Sequence, residues 1–344
     1  MLPDDLNTRK ELVLRSVIHH YILTAKPVGS RVISKKYGLS LSPATIRNVM
    51  ADLEDEGYLM HPHTSAGRVP TTRGYRMYVN NLMMVEKLNQ NLKRAIRNNV
   101  ESINKNVDDL LGKTSQILST ISNQLGVVIG PSLDKAVIEK ISLVSVASDK
   151  VLIIISLGAG IIRSVVVEIR SDIDDREIDA TSELLNERLS GLPVGTIIKE
   201  IDKRLKNVSR GSNELIRLFV DSANKFFKFD EKKIFIGGAS NIAEQPEFNK
   251  QDKLKSVIEL VERKDVVVHL LNRSDADMGI VIRIGEENET EVGREFSIVS
   301  TEYSIGDKTG TLGVIGPIRM WYPKLIPLVD YTAGIINKVL KKEN

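Results

Sequence analysis

The stretch SPATIRNVMADLEDEGYLMHPHTSAGRVP, from Ser42 to Pro70, begins like a helix and ends like a turn. Ser42 is a favoured N-cap residue, and Pro43 follows at the first helical position, where proline is best tolerated. At about 100° per residue, the apolar side chains that follow fall on one side of such a helix. They are Ile46, Val49, Met50 and Leu53. The sequence therefore predicts an amphipathic helix from Ser42 to Gly57 with one buried side.

The opposite side of this predicted helix carries side chains suited to reading DNA. Its members are Ala44, Arg47, Asn48, Ala51 and Asp55. Arginine and asparagine form paired hydrogen bonds with the major-groove edges of guanine and adenine, and the alanines permit close approach. Phosphates would repel the acids at the carboxyl end, so we expect only the amino-terminal end to enter a groove. A solvated polar face is the alternative interpretation.

The residues before Ser42 predict two further helices. Apolar residues recur at helical spacing from Leu6 to Ala25, and a short helix is predicted from Ser30, as its N-cap, to Gly38. This short helix and the helix that follows it have the outline of a helix-turn-helix.

The residues after Gly57 predict a hairpin, or wing. Its tip contains Ser65 and Gly67, and it would place Thr64, Arg68 and backbone N–H groups against phosphates or a minor groove. His61 and His63 could suggest a metal site. No further cluster of metal-binding residues accompanies these histidines, so polar wing residues are the preferred interpretation.

Composition restricts the class of protein. The chain of 344 residues is 42% hydrophobic and 27% charged, which is typical of a globular protein with two or three domains. It contains no cysteine, which favours a reducing, cytoplasmic location. The first residues do not resemble a signal peptide, and the apolar run from Val151 to Ile162 is shorter than the roughly 20 residues of a membrane helix. Residues 1–80 hold 11 Lys and Arg against 7 Asp and Glu, a bias that suits a polyanionic partner.

The remainder of the chain predicts an α+β multidomain protein. Helical periodicity continues from Glu86 to about Gly126, which we interpret as one or two connecting helices. The β-branched runs between 136 and 171 predict consecutive antiparallel strands, and a helix follows. More helices, with short strands at KIFIGG and VVVHLL, precede a final set of strands and a last helix. This order suggests one α+β domain with another domain inserted into it.

The sequence predicts no enzyme and no cofactor. GDKTGTLG and FIGGASN lack the spacing of phosphate-binding loops, so turns explain their glycines better. No set of nucleophile, base and orienting residue is evident.

Three blocks of sequence resemble the HrcA family of heat-inducible transcription repressors. They run from Lys26 to Val79, from Gly237 (GGASNIAEQPEF) and from Gly313 (GVIGPIRMWYPKLIPLVDYTA). The resemblance implies a winged helix-turn-helix at 1–85, a helical connector at 86–125, a discontinuous GAF-like domain at 126–205 and 279–344, and an inserted α/β dimerisation domain at 206–278. It also implies a homodimer that binds double-stranded DNA at an inverted-repeat operator of chaperone operons, with help from the GroE chaperonin.

By this resemblance, the helix that starts at Ser42 is the recognition helix. The residues expected to contact DNA are Ser30, Arg31, Ser42, Thr45, Arg47, Asn48, His63, Thr64, Ser65, Gly67 and Arg68. A regulator that senses a metabolite through the GAF-like domain remains the alternative function.

Overall fold

The computed structural model describes residues 8–63, 66–102, 107–131, 136–158, 161–169, 173–206, 208, 210–222, 226–227, 233–272, 279–305 and 308–341. It is a mixed structure of helices and strands, which confirms the predicted class at that level. The chain divides into two compact units. The first comprises Met1–Val128, Ile234–Glu302 and Thr311–Ile335, and the second comprises Ile129–Lys233, Tyr303–Gly310 and Ile336–Asn344.

The first unit begins with three helices and a small hairpin. The helices are α1 (Thr8–Thr24), α2 (Ser30–Tyr37) and α3 (Pro43–Asp55), followed by β1 (Leu59–Met60) and β2 (Val69–Pro70), which pair antiparallel. Helix α4 (Thr72–Met77) continues into a π-helical turn, Tyr78–Leu82. The predicted helices and the hairpin are therefore present in the predicted order.

The ends of these helices follow local chemistry. The Ser42 hydroxyl accepts a hydrogen bond from the Thr45 backbone N–H at 3.0 Å, and Pro43 is the first residue of α3, as predicted. Gly38 ends α2 with a φ of 57°, which glycine adopts without steric cost. The predicted N-cap of α2 is wrong by one residue: Gly29 is the N-cap, and Ser30 lies inside the first turn.

Two more helices follow, α5 (Gln90–Glu101) and α6 (Val107–Ser122), and then strand β3 (Leu125–Ile129). The helical structure predicted for this segment, as one or two helices, is thus confirmed. However, α6 packs within the first unit instead of simply linking domains: Asn241 donates a hydrogen bond to the Ser119 carbonyl at 3.2 Å.

The second unit is built on three antiparallel strands, β4 (Ile138–Ala147), β5 (Lys150–Leu157) and β6 (Ile161–Glu168), in the order β4-β5-β6. The predicted antiparallel run is confirmed. Helices α7 (Asp175–Leu189), α8 (Val194–Arg204) and α9 (Asn213–Asp221) follow. One face of the sheet, including Ile153 and Ile155, is buried in a core with these helices.

From Ile234 the chain returns to the first unit, apart from Tyr303–Gly310 and Ile336–Asn344, which belong to the second. Strand β7 (Ile234–Gly237) precedes α10 (Ala239–Ala243), α11 (Gln251–Glu262) and α12 (Lys264–Leu271). Strands β8 (Val281–Ile284), β9 (Phe296–Ile305) and β10 (Lys308–Pro317) lead to α13 (Tyr322–Lys341). The five-stranded sheet has the order β7-β3-β10-β9-β8. The strand predicted at VVVHLL is wrong, because this segment is α12, whose buried residues Val266, Val267, Leu270 and Leu271 recur at helical spacing.

The sheets group the chain differently from the predicted domain boundaries. Strands β4 to β6 were expected to share a domain with the strands after residue 279, but they form a sheet of their own. Strand β7 was expected in the insertion, yet it pairs in the five-stranded sheet. The reason is physical, since β-branched runs of similar composition do not reveal which partners they will pair with.

Within the first unit, the amino-terminal helices pack on the segment between β10 and α13. Arg319 there donates to the Ile22 carbonyl in α1 at 3.0 Å and to Gln245 at 3.0 Å. It also forms an ion pair with Glu247. On α4, Arg76 donates to the Ile282 carbonyl at 2.7 Å. The amino-terminal helices are thus tied to the body of the unit by charged hydrogen bonds.

None of the helices in the described residues has both the length and the hydropathy that a bilayer span requires.

Candidate nucleic-acid interface

Helix α3 separates its apolar and polar faces as the sequence predicts. Ile46, Val49, Met50 and Leu53 are buried. Arg47 and Asn48 are exposed next to each other, and Thr45 is half-buried beside them. Burial of the apolar face against α1 and α2 therefore fixes which side chains the helix presents to solvent. This arrangement leaves two forked hydrogen-bonding side chains on the exposed face of the amino-terminal half of α3.

Ser42 and Thr45 also belong to this end of α3. Their hydroxyl oxygens lie 2.9 Å apart, and Ser42 Oγ accepts the Thr45 backbone N–H. Both hydroxyls are therefore oriented by the cap, and the exposed Ser42 marks the positive end of the helix dipole. An anion such as a phosphate is stabilised at such an end.

The first turn of α2 contributes the other two predicted contacts on this side. Ser30 is half-buried as the first residue of the helix, and Arg31 is exposed. The structure thus leaves the Arg31 side chain accessible, whereas Ser30 is half-buried and is not the N-cap of this helix.

The hairpin contains the remaining predicted contacts. His63 is exposed, and its carbonyl accepts the Ala66 N–H at 2.9 Å. Thr64 and Ser65 lie outside the described residues. Gly67 lies against Val28: a Cβ at this position would be 2.5 Å from the Val28 carbonyl carbon and oxygen. Glycine is required here because backbone meets backbone.

Arg68 does not face solvent as a phosphate-contacting side chain would. Its guanidinium forms an ion pair with Glu54 at 2.7 Å and also contacts His61, and its side chain is only 16% exposed. Its backbone N–H and C=O pair with Val28 at 2.9 and 2.8 Å. A contact of Arg68 with phosphate or a minor groove is predicted from the sequence, but in the structure the guanidinium pairs with Glu54 and contacts His61.

The acids at the end of α3 have internal partners that the sequence analysis missed. Glu54 binds Arg68 and His61, and Glu56 binds Lys10 of α1. The hydrogen bond to Glu56 raises the pKa of Lys10. The sequence did contain a signal for the pairing of Glu54 with the hairpin. Acids at the helix end and cations in the following hairpin must meet if the hairpin folds back on the helix.

The glycine-rich segment FIGGASN has a structural role. A Cβ on Gly237 would lie 2.9 Å from the Ser115 carbonyl, and Gly238 has a φ of 79°. Asn241 donates to both the carbonyl and the hydroxyl of Ser119 in α6. The glycines thus allow β7 and α10 to approach α6 closely.

No group of three or more His, Asp or Glu side chains in the described part of the chain is arranged to hold a metal ion. One cavity of about 410 Å³ in the first unit is lined by α6 residues and Phe235. Its charged lining residues are Asp108, Asp109 and Lys113. Nothing in its lining identifies a particular metabolite.

Comparison with known proteins identifies the family. Residues 108–326 match the family described as HrcA protein C terminal domain. A protein from Chlorobium phaeobacteroides, called heat-inducible transcription repressor HrcA, is 38% identical over 99% of this chain and 100% of its own length. The chain belongs to the HrcA family.

A second HrcA protein, from Geobacter sulfurreducens, is 37% identical over 98% of this chain and 99% of its own length. Membership in this family makes the protein a regulator of the heat-inducible transcription repressor type. A crystal structure of a hypothetical protein has the same fold, with a TM-score of 0.68, 21% identity and coverage of 99% of this chain and 100% of that chain. The HrcA profile begins inside α6, so the amino-terminal interface lies outside the matched residues.

Proposed function

We propose that residues 8–85 form a winged helix-turn-helix that binds an inverted-repeat operator and represses chaperone operons. The observation that carries this proposal is the exposed pair Arg47 and Asn48 on a capped helix whose opposite face is buried. Helix α3 is then the recognition helix, and the β1–β2 hairpin with its connecting residues 61–68 is the wing. The protein acts in the cytoplasm, where the operator is.

In this proposal the amino-terminal half of α3 reads bases. Arg47 and Asn48 contact base edges, and Thr45 contacts a base or its sugar. Arg31 and the capped end at Ser42 contact phosphate, with Ser30 beside them. His63 on the wing approaches the DNA backbone, and Thr64 and Ser65 remain contacts expected from the sequence alone. Two of the acids at the other end of α3, Glu54 and Glu56, are paired with Arg68 and Lys10, which reduces their repulsion of DNA.

The part of the second unit formed by residues 129–233 is proposed as the dimerisation domain, in place of the inserted segment 206–278. Support comes from the outer face of its sheet, where Val144, Ile162 and Val166 are 44%, 67% and 54% exposed. Val144, Leu152 and Val166 occupy one row across the three strands. Contiguous exposed apolar side chains of this kind mark protein interfaces, and a two-fold pairing would match an inverted-repeat operator.

The sheet β7-β3-β10-β9-β8 with α6 and α13 is proposed as the GAF-like domain, and the GroE chaperonin is proposed to raise the fraction of active repressor. Support for the chaperonin comes from topology. Strands β3 and β7 are neighbours in one sheet although residues 130–233 intervene. Such long-range pairing folds slowly and leaves apolar strands exposed in intermediates.

The test is binding of the purified protein to DNA from the upstream regions of chaperone operons, followed by footprinting. Arg47→Ala removes a base-reading side chain from an exposed position, so operator affinity should fall by about 1–3 kcal/mol while the thermal unfolding curve is unchanged. Arg97→Ala, at an exposed position of α5, is the matched control and should bind like the unmodified protein. Equal affinities of the two variants would refute the proposed docking.

A further inference from the structure

The end of α3 and the base of the wing are joined by three side chains. Glu54 Oε2 binds Arg68 Nη2 at 2.7 Å, and Glu54 Oε1 lies 2.6 Å from His61 Nδ1. Arg68 Nη1 contacts His61 Nε2. We call these three residues the wing clamp. Side-chain exposures of 27%, 35% and 16% for Glu54, His61 and Arg68 place it in a partly screened environment.

The donors and acceptors in the wing clamp determine which ring nitrogen of His61 accepts a hydrogen bond. A guanidinium has only donors, so His61 Nε2 must accept from Arg68. Nδ1–H then donates to Glu54, so the three side chains form a closed ring of hydrogen bonds in which both Glu54 oxygens are used.

The backbone supports the same arrangement. Arg68 exchanges two backbone hydrogen bonds with Val28, which precedes α2, and Gly67 permits that contact. The base of the wing is therefore held by the α1–α2 connection on one side and by the end of α3 on the other. Its angle to α3 depends on the wing clamp, because β1 and β2 pair over only two residues each.

A clamped Arg68 also changes the electrostatics of DNA binding. Sequence-independent affinity grows with the number of phosphates that cations neutralise, whereas base contacts supply discrimination. An arginine paired with Glu54 contributes little to this sequence-independent affinity. Holding this cation inside the protein therefore lowers affinity for random DNA without reducing base readout by Arg47 and Asn48.

We propose that Glu54 is a positioning residue for DNA recognition: through the wing clamp it sets the wing angle and keeps Arg68 from phosphate, which raises discrimination between operator and random DNA. The inference rests on the proposed function of α3 as the recognition helix. Glu54 acts through Arg68 and His61 and does not itself contact DNA.

The experiment compares Glu54→Gln with Asp55→Asn. Both remove one negative charge from the same turn of α3, but Asp55 is exposed and lies outside the wing clamp. For Glu54→Gln we expect severalfold tighter binding to random duplex and a lower ratio of operator to random affinity. The slope of log affinity against log salt concentration should become steeper by about one, because a released Arg68 adds one phosphate contact. For Asp55→Asn we expect the same small change in affinity for operator and random DNA, and therefore an unchanged ratio of the two affinities.

A second variant, Arg68→Gln, tests the inference even if Glu54→Gln does not fold. Its salt dependence on random duplex should equal that of the unmodified protein, since the clamped guanidinium does not contact phosphate. A slope lower by about one would overturn the inference. Identical changes in DNA affinity for Glu54→Gln and Asp55→Asn would overturn it as well, because Glu54 would then act only as a general surface charge.

The outcome for Arg47→Ala separates this inference from the proposed function. If that variant loses operator affinity while Glu54→Gln behaves like Asp55→Asn, only the positioning role fails. If Arg47→Ala binds the operator normally, recognition by α3 fails, and the role of Glu54 fails with it.

Discussion

Arg319 forms a two-point ion pair with Glu247, in which Nε and Nη2 each donate to a carboxylate oxygen. The third nitrogen, Nη1, donates to the Ile22 carbonyl near the end of α1. One side chain thus joins α1, the turn after α10 and the segment before α13. These elements belong to the three blocks that carry the family resemblance or lie immediately beside them.

The Arg319 site predicts a large effect on stability. Its side chain is only 14% exposed, so Arg319→Ala leaves Glu247 and the Ile22 carbonyl without a charged donor in a poorly solvated place. We expect a loss of about 2–4 kcal/mol in the free energy of unfolding, measured by urea titration. Arg263→Ala is the control, because Arg263 also forms ion pairs, with Glu259 and Asp265, but is 55% exposed, and its effect should be much smaller. Equal effects would show that Arg319 behaves as a surface residue.

Two buried tyrosines in the same region predict effects of opposite sign. Tyr75 is buried, and its hydroxyl has no hydrogen-bond partner among the described residues, whereas the Tyr322 hydroxyl donates to the Ile318 carbonyl at 2.5 Å. Burial raises the pKa of both phenols, so both are neutral at physiological pH. Tyr75→Phe should stabilise the protein by about 1 kcal/mol, and Tyr322→Phe should destabilise it by a similar amount. Thermal unfolding tests this contrast, and a destabilised Tyr75→Phe would reveal a partner for its hydroxyl.

We predict that position 67 in the wing requires glycine, because the backbone there lies against the Val28 backbone. A Cβ there would meet Val28 backbone atoms at 2.5 to 2.8 Å, and backbone cannot move aside as a flexible side chain can. Gly67→Ala should cost about 1–3 kcal/mol of stability and weaken binding to operator DNA. In contrast, a Cβ on Gly334 within α13 meets nothing within 4 Å, so Gly334→Ala should stabilise the protein slightly. A Gly67→Ala protein as stable as Gly334→Ala would contradict the close approach to Val28.

The exposed face of the second unit predicts the site of dimerisation. Ile162→Lys puts a charge where two apolar faces would meet, so the variant should be monomeric at concentrations that leave the unmodified protein dimeric. Ile258→Lys makes the same change on α11, where Ile258 is 49% exposed, and should remain a dimer. Light scattering coupled to size exclusion measures both masses. A dimeric Ile162→Lys protein would place the interface elsewhere.

The chaperonin prediction concerns recovery of activity. After unfolding, the protein should recover more operator binding with GroE and ATP than without, because strands β3 and β7 must pair across residues 130–233. A competing unfolded protein should abolish that gain by occupying the chaperonin. Complete spontaneous recovery, unaffected by either addition, would favour the metabolite-responsive alternative.

The sequence by itself determined the local structure of the interface. Ser42, Pro43 and the apolar spacing from Ile46 to Leu53 predict α3 and its exposed face correctly, and Gly38 predicts the end of α2. These features depend on residues within a few positions of one another, where capping and periodicity act directly. For the same reason, the antiparallel order of β4 to β6, which are separated by only a few residues of sequence, was predictable.

Only the tertiary structure decided which segments share a sheet and which charges are free to meet DNA. Strand β7 pairs with β3, and Arg68 pairs with Glu54 instead of facing solvent. The residues VVVHLL have strand-like composition but form α12, because burial of one helical face overrides propensity. Each of these outcomes depends on contacts between segments distant in sequence. Composition and spacing do not encode such contacts, since several partners of similar chemistry compete and only the folded packing selects among them.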